Sequence, residues 1–101
     1  MPPPRGGRPG RGRAEIALSG VVGVDFDAET VSEAIAYFSG PICIRLNSGG
    51  GIASEGTAIH SVLSEYRGHK TILVQGIAAS AASVIMMAGD RIEMSAGSTR
   101  V

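Results

Sequence analysis

Two short apolar runs, Ile42-Cys43-Ile44-Arg45-Leu46 and Thr71-Ile72-Leu73-Val74, constrain this chain more than any other feature. Both read as strands. The first is so nearly continuous in its apolar character that it predicts burial on both faces, as in a parallel sheet covered by helices. Helical spacing separates them: Ile59, Val62, Leu63 and Tyr66 recur on one stripe that Gly68 closes. Ahead of the first run, Val31, Ile35 and Phe38 mark another helix, with Asp27 placed to cap it, Glu29 in its first turn and Gly40-Pro41 to end it. Glu15-Ile16-Ala17-Leu18, ended by Ser19-Gly20, predicts a strand before that helix, and Arg91-Ile92-Glu93-Met94 predicts the last one. With a helix opened by Ser80, the order is β-α-β-α-β-α-β. That alternation predicts an α/β fold, with a mainly parallel sheet joined by crossover helices.

Composition narrows the function classes. A chain of 101 residues holds one domain at most, with a small core. Nine basic and nine acidic residues cancel, but unevenly: Arg5, Arg8, Arg11 and Arg13 sit in the first 13 residues, leaving five basic against nine acidic beyond them. The body is therefore acidic and lacks the footprint of a nucleic-acid binder. Residues 1–13, with four Pro, four Gly and four Arg, have nothing to bury. They read as a disordered tail ahead of a domain over 14–101, either a dispensable extension or an Arg-Gly arm without the aromatics a stacking platform needs. Cys43 is the sole cysteine, so no internal disulfide forms. No 18-residue apolar stretch predicts a membrane span, and no apolar h-region follows the N-terminal arginines. The expected location is cytoplasmic. No cluster of His, Cys and carboxylates suggests a metal, and no cofactor is expected.

Chemistry concentrates in residues 76–89, Gly-Ile-Ala-Ala-Ser-Ala-Ala-Ser-Val-Ile-Met-Met-Ala-Gly. The segment is small and apolar apart from Ser80 at its leading edge and Ser83 one turn on. A helix apolar all round is a core helix, and its first N–H groups lack internal partners. A serine on a tight strand-to-helix turn, followed by a free backbone N–H, is the arrangement of a hydrolase nucleophile. Taken alone, a serine among alanines is more often a small core residue. Ser83 reads as a hydroxyl bonded to a carbonyl of the preceding turn. Upstream, Gly49, Gly50 and Gly51 end the motif Arg45-Leu46-Asn47-Ser48-Gly-Gly-Gly. They do not make a phosphate loop: Thr57 stands where the P-loop lysine must be, and Ser54 occupies the third glycine position of a Gly-x-Gly-x-x-Gly pattern after Gly49 and Gly51. A flexible turn or an oxyanion loop remain.

Gly76-Ile77-Ala78-Ala79-Ser80 with Met87-Ala88-Gly89-Asp90, and Asn47-Ser48-Gly49-Gly50-Gly51 at matching spacing upstream, resemble the Clp-type (caseinolytic) serine protease subunits over roughly residues 15–101. The Ala-Ala-Ser-Ala-Ala-Ser variant is most similar to the phage and prophage branch, whose members act in head maturation. The resemblance implies the spiral of ββα units shared by Clp and crotonase folds, here incomplete. It implies Ser80 as nucleophile, with the N–H groups of Gly51 and Ala81 as the oxyanion hole. The family's proline is replaced by Gly49, which bears on loop rigidity and not on the donor. It further implies a polypeptide substrate, a ring-forming homo-oligomer such as a heptamer, and in cellular relatives an ATP-driven unfoldase. A phage-encoded member would act in the host cytoplasm.

Other residues are weaker candidates. His60 lies off the apolar stripe of its helix, and His69 sits in a Gly-His-Lys turn; both precede Ser80, whereas the family order is serine, histidine, aspartate. Lys70 opens a strand ten residues before Ser80, a poor position for a serine–lysine dyad. The resemblance thus implies that the catalytic His and Asp lie beyond Val101 and that this stretch is the N-terminal part of the domain, inactive alone. Two further classes stay open: a crotonase-type acyl-CoA enzyme, which needs no serine at position 80, and a non-catalytic ring subunit.

Overall fold

The computed structural model describes residues 14–100; the Arg-rich tail expected over 1–13 lies outside them. In chain order the elements are β1 (Ala14–Val22), α1 (Ala28–Ile35), β2 (Ile42–Gly51), α2 (Ala53–Glu65), β3 (Lys70–Ala78), α3 (Ala81–Met86), β4 (Arg91–Met94) and β5 (Thr99–Arg100). The sheet runs β1-β2-β3-β4, and β5 adds to the distal half of β3. Every pairing is parallel, which makes this the α/β fold expected from the alternation.

Sequential strands laid side by side in one direction, each joined by the same right-handed crossover, place all the connecting helices on one face. The register shows the result. Ile16, Ile44, Ile72 and Ile92 stand in one row across the four strands, and Leu18, Leu46, Val74 and Met94 in the next. At the centre of the sheet Ile44, Leu46, Ile72 and Val74 are fully buried, together with Ile59 and Leu63 of α2 and Ile85 of α3. Val31 and Ile35 of α1 complete the same cluster.

The expectation that the Ile42 run is buried on both faces holds for its first three residues, where Cys43 is 2% exposed on the face opposite Ile42 and Ile44, and not beyond. Only Ile42, Cys43 and Ile44 are buried in succession; from Arg45 on, β2 alternates, with Arg45, Asn47 and Gly49 exposed. Among the described residues no helix covers the second face, where Arg45 instead reaches Glu15 of β1 at 3.7 Å.

Element ends also move. β1 continues past Gly20 through a register shift between Ser19 and Val21, so that Val21 and Val22 pair with Gly50 and Gly51. The three glycines are therefore the last residues of β2, not a loop beyond it. Asp27 caps α1 as expected, accepting from the Thr30 N–H at 2.9 Å while Thr30 Oγ1 accepts from the Asp27 N–H at 3.1 Å. That helix closes at Ile35, before the expected Gly40-Pro41 stop, and Phe38 follows on a turn bonded to the Ile35 carbonyl. The strand Arg91–Met94 stands where the sequence puts it.

Candidate active site

β3 ends at Ala78, Ala79 and Ser80 make the turn, and α3 begins at Ala81. Ser80 takes φ 54° and ψ −125°, the one positive φ outside glycine among the described residues. Such backbone is sterically costly for a residue with a Cβ, roughly 1–3 kcal/mol, and persists only where its surroundings enforce it. Ser80 is also the N-cap of α3, the position where a serine ordinarily accepts from the helix N–H groups, yet its side chain makes no such bond. Its hydroxyl is exposed rather than folded back on the helix. The turn is tied by backbone instead: Ala82 N–H donates to Ala79 O at 3.0 Å and Ser83 N–H to Ser80 O at 2.9 Å. Ala81 supplies the first N–H of the helix, which has no intrahelical acceptor. Because α3 is only six residues long, its macrodipole adds little, and the local N–H is what the turn offers an anion.

Ser83 does what its spacing suggested. Its Oγ donates to the Ser80 carbonyl at 2.6 Å, so it braces the turn from behind.

The end of β2 lies against this turn. A Cβ built on Gly50 would stand 2.7 Å from Ser80 Cβ and 3.3 Å from its Oγ, and Gly50 has φ +117°. Only glycine fits there, on both steric and conformational grounds. Gly51 follows at φ +152°, with its Cα against the backbone of Val22. Ile52 N–H donates to Val22 O at 2.9 Å, so the Val22–Gly51 rung is bonded through Val22 and the residues flanking Gly51. The Gly51 N–H is not engaged in that rung.

Two side chains the sequence reading quoted without giving them roles join β2 to the turn. Asn47 Oδ1 accepts from the Ile77 N–H at 3.2 Å. Ser48, 2% exposed, accepts the Gly50 N–H on its Oγ at 3.1 Å and the Ala79 N–H on its backbone O at 3.1 Å. A signal for Ser48 was present: the period-two pattern Ile42, Ile44, Leu46 puts residue 48 on the inward face, where a hydroxyl needs a partner.

The remaining candidates lie elsewhere. Lys70 opens β3 and Ser80 follows its end, so the two are separated by a strand of about 26 Å at 3.3 Å per residue. The Lys70 ammonium is buried at that far edge, 3.3 Å from Asp90 Oδ2 and 3.2 Å from Tyr66 O. Its own N–H and its ammonium hold the Asp90 carboxyl below the usual range. His69 adjoins Lys70. His60 sits in α2 with Nδ1 3.4 Å from Ser64 Oγ, one turn further from the Gly56 turn that meets Ala81. Among the described residues no group of His, Cys and carboxylates is arranged to hold a metal, and no helix is long and apolar enough to cross a membrane.

The sequence matches the Clp protease family over residues 15–101. No curated protein gives a significant match. Among solved structures the chain is similar to ClpP1 from Listeria monocytogenes and to a point mutant of that protein. Each is 26% identical with a TM-score of 0.67, over 74% of this chain and 46% of the other. The chain thus spans a little under half the length of these structures.

Proposed function

The chain belongs to the Clp protease family, and on that premise we propose that it forms the nucleophile half of a serine endopeptidase site. Ser80 attacks the scissile carbonyl, and the N–H groups of Gly51 and Ala81 receive the negative charge that develops on the carbonyl oxygen. The observation that supports this most is the Ser80 backbone, held at φ 54° with its hydroxyl left out of the helix cap. A merely structural serine at an N-cap has no reason to carry that strain. Neutral serine needs an adjacent base; His60, His69 and Lys70 all make their contacts elsewhere. The proton acceptor and its orienting carboxylate are therefore assigned to the histidine and aspartate that the resemblance puts beyond Val101.

The finer reading is a phage-type head-maturation protease acting in the cytoplasm of the host. Its support is the run Ala78-Ala79-Ser80-Ala81-Ala82-Ser83 with Met87-Ala88-Gly89-Asp90. Family membership supports a polypeptide substrate and assembly into a ring, with an ATP-driven unfoldase as the partner in the cellular branch. Peptide hydrolysis by this set needs no cofactor.

The test is hydrolysis of an unstructured fluorogenic peptide by the protein that includes the histidine and aspartate assigned beyond Val101, and by its Ser80→Ala variant. Loss of a triad nucleophile costs about 10⁶-fold in kcat, so the variant should fall to background while its circular dichroism is unchanged. Hydrolysis by Ser80→Ala within tenfold of the parent would remove Ser80 from the reaction and reopen the acyl-CoA reading of the fold.

A further inference from the structure

We propose that Ser48 is the positioning residue of this site: its hydroxyl engages the Gly50 N–H and thereby turns the Gly51 N–H toward the space in front of Ser80. The proposal rests on the nucleophile reading above and extends it to a residue that the sequence motif left without a role.

Ser48 is 2% exposed on the helix-covered face of the sheet, in a row otherwise filled by Ile42, Ile44 and Leu46. A hydroxyl there is tolerated only when bonded. Its oxygen accepts the Gly50 N–H at 3.1 Å and lies 3.4 Å from the Gly50 carbonyl to which it donates. Both polar groups of one peptide neighbour are thereby folded back onto a side chain two residues earlier. The backbone then leaves regular strand geometry, with φ +117° at Gly50 and +152° at Gly51. The same residue also grips the nucleophile turn, since its carbonyl accepts the Ala79 N–H at 3.1 Å. Ser48 thus fixes the spacing between the residue before the nucleophile and the residue before the proposed oxyanion donor. Without the hydroxyl, the buried Gly50 N–H loses the side-chain acceptor that folds it back onto residue 48. The chain then relaxes toward plain strand geometry, and the Gly51 N–H turns away.

Two measurements decide it. The first reads geometry and needs no turnover. In protein labelled with ¹⁵N-glycine, the Gly50 amide should be protected from hydrogen exchange and the Gly51 amide should exchange freely. Ser48→Ala should speed Gly50 exchange by about tenfold or more while Ile72 and Val74 keep their parental rates, and Ser48→Thr, which retains a hydroxyl, should keep Gly50 protected. Gly50 exchanging freely in the parent, or unchanged in Ser48→Ala, overturns the proposal. Should Ser48→Ala not fold, the parental comparison of Gly50 with Gly51 still decides. The second reads catalysis, with Ser80→Ala as the blank. Removing an oxyanion donor costs about 10²–10³ in kcat; Ser48→Ala should lose at least tenfold in kcat with KM unchanged, and Ser48→Thr should restore most of it. Full kcat in Ser48→Ala overturns the positioning role even where Ser80-dependent hydrolysis is confirmed. A parent that carries the assigned histidine and aspartate yet shows no such hydrolysis defeats the nucleophile reading, while the exchange data still decide the geometry around Ser48.

Discussion

At Ser80 the chain holds a side chain in backbone that glycine enters freely and other residues enter at a cost. If the strain is kept for the hydroxyl, removing the Cβ should stabilise the fold and abolish the chemistry together. Ser80→Gly is expected to raise the free energy of unfolding by about 1 kcal/mol, the low end of what such a conformation costs, while hydrolysis falls to background. Urea denaturation beside the peptide assay checks both halves, and a Ser80→Gly variant less stable than its parent would mean the turn is not strained. At this scale the sequence was legible where a motif carried it. Ser80 stood out because alanines flank it, and Ser83 because it lies one turn on. Gly50 did not, because its importance comes from how close β2 approaches the turn, a tertiary distance that no local pattern encodes, and for Ser48 the strand period gave its burial but not its partners.

Among the elements, interiors were legible and ends were not. The strand over 91–94, the Asp27 cap and the Ile59–Leu63 stripe follow from periodicity and capping chemistry, which act within a few residues. The extension of β1 to Val22 and of β2 to Gly51 depends on each strand finding the other, and glycines give no propensity signal for it. β5 escaped notice for the same reason: two residues, Thr99 and Arg100, pair with Ile77 and Ala78 without any run of their own. Asp90 links elements directly, accepting the Lys70 N–H at 2.8 Å at the start of β3. That bond, and then the Lys70 ammonium, lower its pKa; Thr30 does the same for Asp27 through its backbone N–H and its hydroxyl. A carboxyl whose folded pKa is depressed contributes fully above its unfolded value of about 3.9 and loses that contribution as pH falls through the folded value. The urea midpoint should therefore hold from neutral pH to about pH 4 and fall below it, with a shallower fall in Asp90→Asn. Identical acid profiles for parent and Asp90→Asn would show that the link does not act in stability.

Across the whole molecule, one rule of chain handedness explains both the success and the error in reading the fold. Alternating strands and helices gave the parallel sheet, and same-handed crossovers put the helices on one side. The second face carries surface ion pairs, Arg45 with Glu15 and Arg91 with Glu93, worth little in stability. Among the described residues only Cys43 and Thr71 are buried on it, so a run that looked buried on both sides throughout is so buried only over 42–44. The covered side converges on a single place, where β2 and β3 end together and α3 begins, and there the sheet presents Ser80. The central claim is that this residue is the nucleophile. A fluorophosphonate reads this out in the protein that includes the assigned histidine and aspartate, with the adduct located by tandem mass spectrometry. One phosphonylated residue is expected, Ser80, with no label in Ser80→Ala; an adduct on Ser83 or any other serine, or labelling that survives Ser80→Ala, would remove Ser80 as the nucleophile.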